Sequence, residues 1–270
     1  MLLCTARYAQ TPAPEAGPGH APEVIVGFPD GTELSSSDHG IHRALSSYLD
    51  RDVTLEPLPP VGQRDRYRGP LATKAELRKT FGLAVGESLP DMSVFPVKKL
   101  AELTRYATPV GSYVDAYPVH IITEQTLSAM AAVAPDTDFD VRRFRPTILV
   151  DSPGASDQPE LDWCGGLLHF PHADLRPLIP TIRCVMPSLE QLGLDRDLRV
   201  TRAVAKHLRR CLGVYSAVLR PGRIAEGEAL QLDPPRRSAG GSTAVSGAAT
   251  MKRVLMKAVS AALPRGGRHW

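Results

Sequence analysis

Cys184 lies in PTIRCVMPS (180–188), an apolar run that reads as a β-strand over 181–185. A deprotonated thiol is a soft, strongly donating metal ligand and the reactive form in sulfur chemistry. The same residue also serves as an inert, small apolar filler, and free cysteine is among the most buried residue types. A thiolate site requires positive charge or hydrogen-bond donors near the sulfur. Strand alternation turns the adjacent Arg183 to the opposite face. A second cluster is VRRFRPT (141–147). Read as a strand, it places Arg143 and Arg145 on one face and Phe144 on the other. A planar guanidinium can grip a phosphate with two parallel hydrogen bonds, which makes Arg145 the first candidate and Arg143 the second. The alternative is a solvated strand end that pairs with Asp138 or Asp140. Thr123 and Ser128 flank a helix start, where backbone N–H groups and hydroxyls can receive an anion. Ordinary capping also accounts for Thr123.

Other residues favour structural roles. His120 reads as a packed, hydrogen-bonded histidine and Trp163 as core. Cys211 reads as a residue packed at a strand entrance. His169 and His172 lack a third ligand for zinc. The four cysteines, Cys4, Cys164, Cys184 and Cys211, show no C-x-x-C spacing. A structural zinc, an iron–sulfur cluster and an extracellular disulfide framework are therefore not expected.

These residues must be carried by elements that the pattern partly reveals. EVIVGF (23–28) reads as a strand followed by a PDG turn. In DHGIHRALSSYLDRD, Ile41, Ala44, Leu45, Tyr48 and Leu49 fall on one helical face, with Ser37 or Asp38 as the N-cap. VTLEPL (53–58) reads as a strand. Residues 58–95 read as irregular, with one short helix near 73–80. YVDAYPVHIIT leads at Thr123 into the helix EQTLSAMAAVA. FRPTILVD (144–151), GLLHF (166–170), TIRCV (181–185), GVYSAVLR (213–220) and EALQL (228–232) are further short strands, and 198–209 is a helix. Short strands separated by turn signals predict an α+β, mainly β architecture. The regular alternation and glycine-rich first turn of a nucleotide-binding sheet are missing. Residues 233–247 (DPPRRSAGGSTAVSG) read as a linker. Residues 248–270 read as an amphipathic helix and tail that docks on its own domain or, alternatively, on a partner or a membrane surface.

The chain has 270 residues, with 43% hydrophobic, 23% charged and a formal net charge of +3. That charge is too weak to call for nucleic acid, and no recognition helix or finger spacing is present. No run of 18 apolar residues occurs, and the apolar part of MLLCTARYAQ is too short for a signal peptide. A cytoplasmic location is the simplest expectation.

Taken in order, YPVHIITEQTL, VRRFRPTILVD, ELDWCGG, IRCVMPS and CLGVYSAVLRPGRIAEGE resemble the MOSC domain, the C-terminal part of molybdenum cofactor sulfurases. Relatives include the mitochondrial amidoxime-reducing component. The resemblance runs over about 113–232. It implies a mainly β, MOSC-type barrel with peripheral helices (111–232), after a shortened β-rich N-terminal region (1–110). It also implies a molybdenum–pterin cofactor, with the metal on Cys184. The arginines of VRRFRPT, Arg145 before Arg143, are implied to hold the cofactor. Relatives often carry Asn where Thr147 stands, so a hydroxyl replaces an amide at one cofactor contact. The implied activity is reduction of an N-oxygenated or related small molecule, with electrons from a separate donor protein. The alternative from the same family is a sulfur carrier with a persulfide on Cys184. Pyridoxal phosphate enters at family level only. No desulfurase domain is recognisable here, so a separate sulfur donor would be needed. A non-catalytic scaffold is the third reading. LLCTARY looks like the segment after the Tyr-Pro-Val-Lys-Ser-like and Gly-Asp-Arg motifs of two-part relatives, while VFPVKKL (95–101) comes too late to be the first of them. The expectation is a start placed downstream of the natural one, or a reduced cofactor cradle.

Overall fold

The computed structural model describes residues 1–70, 72–152 and 156–235. Most of the expected linker and all of the expected C-terminal helix lie outside the described residues. The chain divides into two compact units. The first comprises 1–70, 102–115 and 189–196, and the second comprises the remainder.

In the first unit, β1 (Thr5–Tyr8), β2 (Val24–Gly27) and β3 (Glu33–Ser35) form an antiparallel sheet in sequence order. The PDG turn forms, with Gly31 at φ 87°. Helix α1 (Ile41–Leu49) lays Ile41 and Leu45 against Val26. It starts later than expected. Asp38 spends its carboxylate on the Gly40 amide at 2.6 Å, so neither Ser37 nor Asp38 caps the helix. VTLEPL is not a strand, because α1 side chains take up its backbone groups. Ser46 Oγ bonds both N and O of Val53, and His42 Nδ1 accepts from Leu55 N.

Helix α2 (Lys74–Thr80) opens with a reciprocal cap between Thr73 and Glu76. Helix α3 (Val97–Arg105) follows Pro96 and lies across the division between the units. The second unit is built on six strands: β4 (Val119–Thr123), β5 (Ile148–Val150), β6 (Leu167–His169), β7 (Asp174–Ile182), β8 (Cys211–Arg220) and β9 (Gln231–Asp233). Their order is β5-β4-β8-β7-β6-β9, with only β4 and β5 parallel. The sheet curls as a half-barrel, helped by three register shifts between β7 and β8. Val119, Ile121, Leu168, Leu175 and Val214 pack with Trp163 on one core. A second core gathers Ile122 with Met130 of α4 (Glu124–Val133), Phe144 of α5 (Val141–Phe144) and Val200 and Val204 of α7 (Leu198–Leu208). Helix α6 (Pro159–Asp162) leads into Trp163. Among the described residues nine strands face seven α-helices, the mixed, strand-dominated architecture expected. No helix among them is long and apolar enough to cross a membrane.

Candidate functional site around Cys184

Strand β7 stops at Ile182, one residue before Arg183, so the expected strand over 181–185 is cut short. The cause is a change of backbone partner. Arg183 N still bonds Arg210 O, but Val185 N turns to Thr80 O at 2.8 Å, at the end of α2. The chain then enters a 3-10 turn, Met186–Ser188. Cys184 therefore sits half-buried just past a strand end, neither sealed in the core nor fully exposed.

Arg183, 9% exposed, fixes this segment from beneath. Its Nε donates to Leu212 O at 2.9 Å, Nη1 to Phe144 O at 3.3 Å and Nη2 to His120 Nε2 at 2.6 Å. Its guanidinium also lies over the Phe144 ring. Burial, and secondarily the Arg183 charge, push the His120 pKa down to about 2, so the imidazole is neutral and accepts at Nε2. Gly213 makes this packing possible. At φ 80° it occupies the left-handed region, and a Cβ there would fall 2.5 Å from His120 Nε2. His120 also exchanges bonds with Thr147: Thr147 N donates to His120 O at 2.8 Å, and His120 N to Thr147 Oγ1 at 3.1 Å.

VRRFRPT is not a strand at 141–144, and the alternation expected for Arg143 and Arg145 fails there. The Asp140 carboxylate caps the Arg142 amide at 2.8 Å and starts the one-turn helix α5. Arg145 ends it in the left-handed region at φ 49°, ahead of Pro146. Arg143, 4% exposed, is committed inside: Nη2 pairs with Asp138 at 3.2 Å and Nη1 donates to Pro187 O at 3.4 Å. Arg145 is exposed, and no side-chain hydrogen bond or ion pair engages it among the described residues. Two arginines thus lash α5 to the cysteine segment, Arg183 through Phe144 O and Arg143 through Pro187 O. These bonds, with the His120–Thr147 pair, form a knot that joins the segments carrying Cys184, Arg143, Arg145 and Thr147.

No hydrogen bond among the described residues ties Thr123 or Ser128 to the knot. Thr123 is fully buried, caps α4 through Thr126 N and donates to Glu160 Oε2 at 2.7 Å. Ser128 is an exposed residue in the body of α4. Glu160 is a buried carboxyl that the sequence did not reveal. Thr126 Oγ1 also reaches it at 2.7 Å, and burial pushes its pKa up despite these hydrogen bonds. Its only sequence signal, an acidic residue near Trp163, says nothing of threonines 34 and 37 positions away. Burial drives Cys164 up to about 11, and it also raises Cys211. Both therefore stay thiols. His169 is spent between Asp174 and Asp233.

Among the described residues no group of three or more His, Cys, Asp or Glu can hold a metal ion. What the knot offers is one half-buried cysteine and one exposed arginine. That donor set suits a metal that arrives with its own chelating sulfurs and a phosphate. Cys184 and Arg145 fit such a cofactor, and Thr147 retains a hydroxyl proton to donate. Arg143 fits a bracing role better than a phosphate grip. The family model for the MOSC domain matches residues 109–231, which include every residue of the knot. Comparison with curated proteins gave no match. The match over residues 109–231 thus supports a MOSC domain there, of a family associated with the molybdenum cofactor.

Proposed function

We propose that this domain binds a molybdenum–pterin cofactor and works as a cytoplasmic oxidoreductase on an N-oxygenated or related small molecule, with electrons from a separate protein. The observation that carries the reading is the lashing of α5 to the cysteine segment. It holds a half-buried thiol and an exposed arginine on one rigid support. When bound, the cofactor supplies an oxygen-accepting, redox-active metal. The protein's own part is positional. Cys184 would hold the metal as a thiolate, and Arg145 would hold the phosphate. Arg183 and Arg143 fix the backbone on either side of the sulfur. His120 braces Arg183 without adding charge, because it stays neutral.

The test is cofactor content after expression in a molybdenum-replete host, with metal measured by mass spectrometry and pterin by fluorescence after oxidation. Cys184→Ala is expected to lower bound molybdenum at least about tenfold, since even supporting residues around metal ligands typically matter that much. Arg145→Ala is expected to lower pterin and metal together. Undiminished cofactor in Cys184→Ala rejects the ligand assignment. A reducible sulfur adduct on Cys184, in protein devoid of molybdenum, would instead make the domain a sulfur carrier.

A further inference from the structure

A cavity of about 590 Å³ opens beside the knot, between the loop after α2 and the outer face of α7. Its volume falls within the usual range for small-molecule sites. The loop that forms one wall is pinned. Arg78 Nη1 donates to Glu87 O at 2.6 Å, and Nη2 donates to Ala84 O. Arg210 reaches across to Phe81 O at 3.0 Å and to Glu87 at 3.1 Å. Arg209 and Arg210 both hold positive φ, of 50° and 68°, to make that reach, a conformation that costs non-glycine residues. Gly82, at φ 58°, lies so close to Val185 that a Cβ would come within 3.0 Å of its Cγ2. The hollow is therefore formed before any ligand arrives.

The lining is divided by chemistry. Leu83, Ala84, Val185, Leu198 and Ala205 supply an apolar wall. Arg202 and Lys206 stand one turn apart on α7, both exposed, and no ion pair engages either among the described residues. Like charges at this spacing repel each other on a helix. The one acidic group on the lining, Glu87, is occupied by Arg210 and by the Ala84 amide at 2.9 Å. Cations at the mouth of a preformed apolar hollow call for a ligand that answers both parts.

We propose that this cavity binds a small amphipathic organic anion, with its apolar body against Leu83, Val185 and Leu198 and its charged head on Arg202 and Lys206. The site does not include Cys184 and does not depend on a metal there.

The test uses the full chain and three probes in isothermal titration: octanoate, octanol and inorganic phosphate. Octanoate is expected to bind saturably at one site, with octanol and phosphate each much weaker. Arg202→Gln/Lys206→Gln, at two exposed positions, is expected to weaken octanoate at least about tenfold, which corresponds to the loss of one charge-assisted hydrogen bond. Leu198→Ala should weaken it too, while the exposed, distant Arg223→Gln should not. Thermal unfolding of each variant verifies that the fold is kept. Absence of saturable octanoate binding overturns the proposal. So does binding that survives the double substitution, octanol binding as tight as octanoate, or phosphate binding as tight as octanoate.

Discussion

Arg183 shows why one side chain type is required where several would seem to serve. Three of its nitrogens point to three acceptors on three elements: Leu212 O in β8, Phe144 O in α5 and the His120 ring in β4. Only a rigid, planar fork can reach all three at once. A lysine ammonium is a point charge on a flexible stem and must abandon at least one acceptor. Hydrogen bonds from a charged donor contribute roughly 1.5–3 kcal/mol each, so Arg183→Lys is expected to lower the unfolding free energy by about 2–4 kcal/mol. Urea denaturation checks this. A loss below about 0.5 kcal/mol, the size of an ordinary surface change, would mean that the guanidinium does not organise the segment that carries Cys184.

At the scale of elements, α5 governs where the exposed cation stands. Its cap and its terminus can be tested separately. Asp140→Ala removes the side-chain acceptor of the Arg142 amide and should cost about 1 kcal/mol of stability, read from the shift in the urea midpoint. Arg145→Gly removes a side chain from a left-handed position, where L residues pay roughly 1–2 kcal/mol. Glycine returns part of that gain as backbone entropy. The expected outcome is equal or slightly higher stability, by up to about 1 kcal/mol, with lower cofactor content. A marked loss of stability would make Arg145 a structural residue. This helix was not legible in the sequence. Four residues make barely one turn and show no period, and RRFR spells the alternation of a strand equally well. Strand β7 was half legible for a related reason. TIRCV (181–185) catches only the end of it, and Pro177 and Pro180 are tolerated inside it because β6 pairs β7 only at Asp174 and Leu175. Beyond that point, one side of β7 needs no strand donor. By contrast, α1, α4 and α7 were legible because two or more turns repeat the apolar spacing. Cys184 and the arginines were legible as candidates. Their joining through Phe144 O and Pro187 O was not, because backbone carbonyls carry no sequence signal.

For the molecule as a whole, two buried ionisable groups of the second unit shape stability against pH in opposite senses. His120 falls from 6.5 to about 2, chiefly through burial and then through Arg183. Across that window the unfolded chain carries a proton that the native chain lacks. Stability therefore rises with pH up to 6.5 and is lost on acidification, by up to about 1.4 kcal/mol per pH unit. Glu160 behaves the other way. Burial lifts its pKa above 4.5, so the native chain keeps a proton that the unfolded chain gives up. That contribution is complete below 4.5 and declines as pH rises toward the native value. His120→Gln still presents an acceptor to Arg183 and should flatten the acid limb. Glu160→Gln still accepts from Thr123 and Thr126 and should remove the decline above 4.5. Urea midpoints of the three proteins across the acid and neutral range separate the two contributions, since each substitution should change only its own limb. If Glu160→Gln ran parallel to the parent at every pH, the carboxyl would titrate alike in the folded and unfolded chains. Burial at the junction of β4, α4 and α6 could not then be holding it as the neutral acid against the pull of the two threonine hydroxyls, which favour the carboxylate.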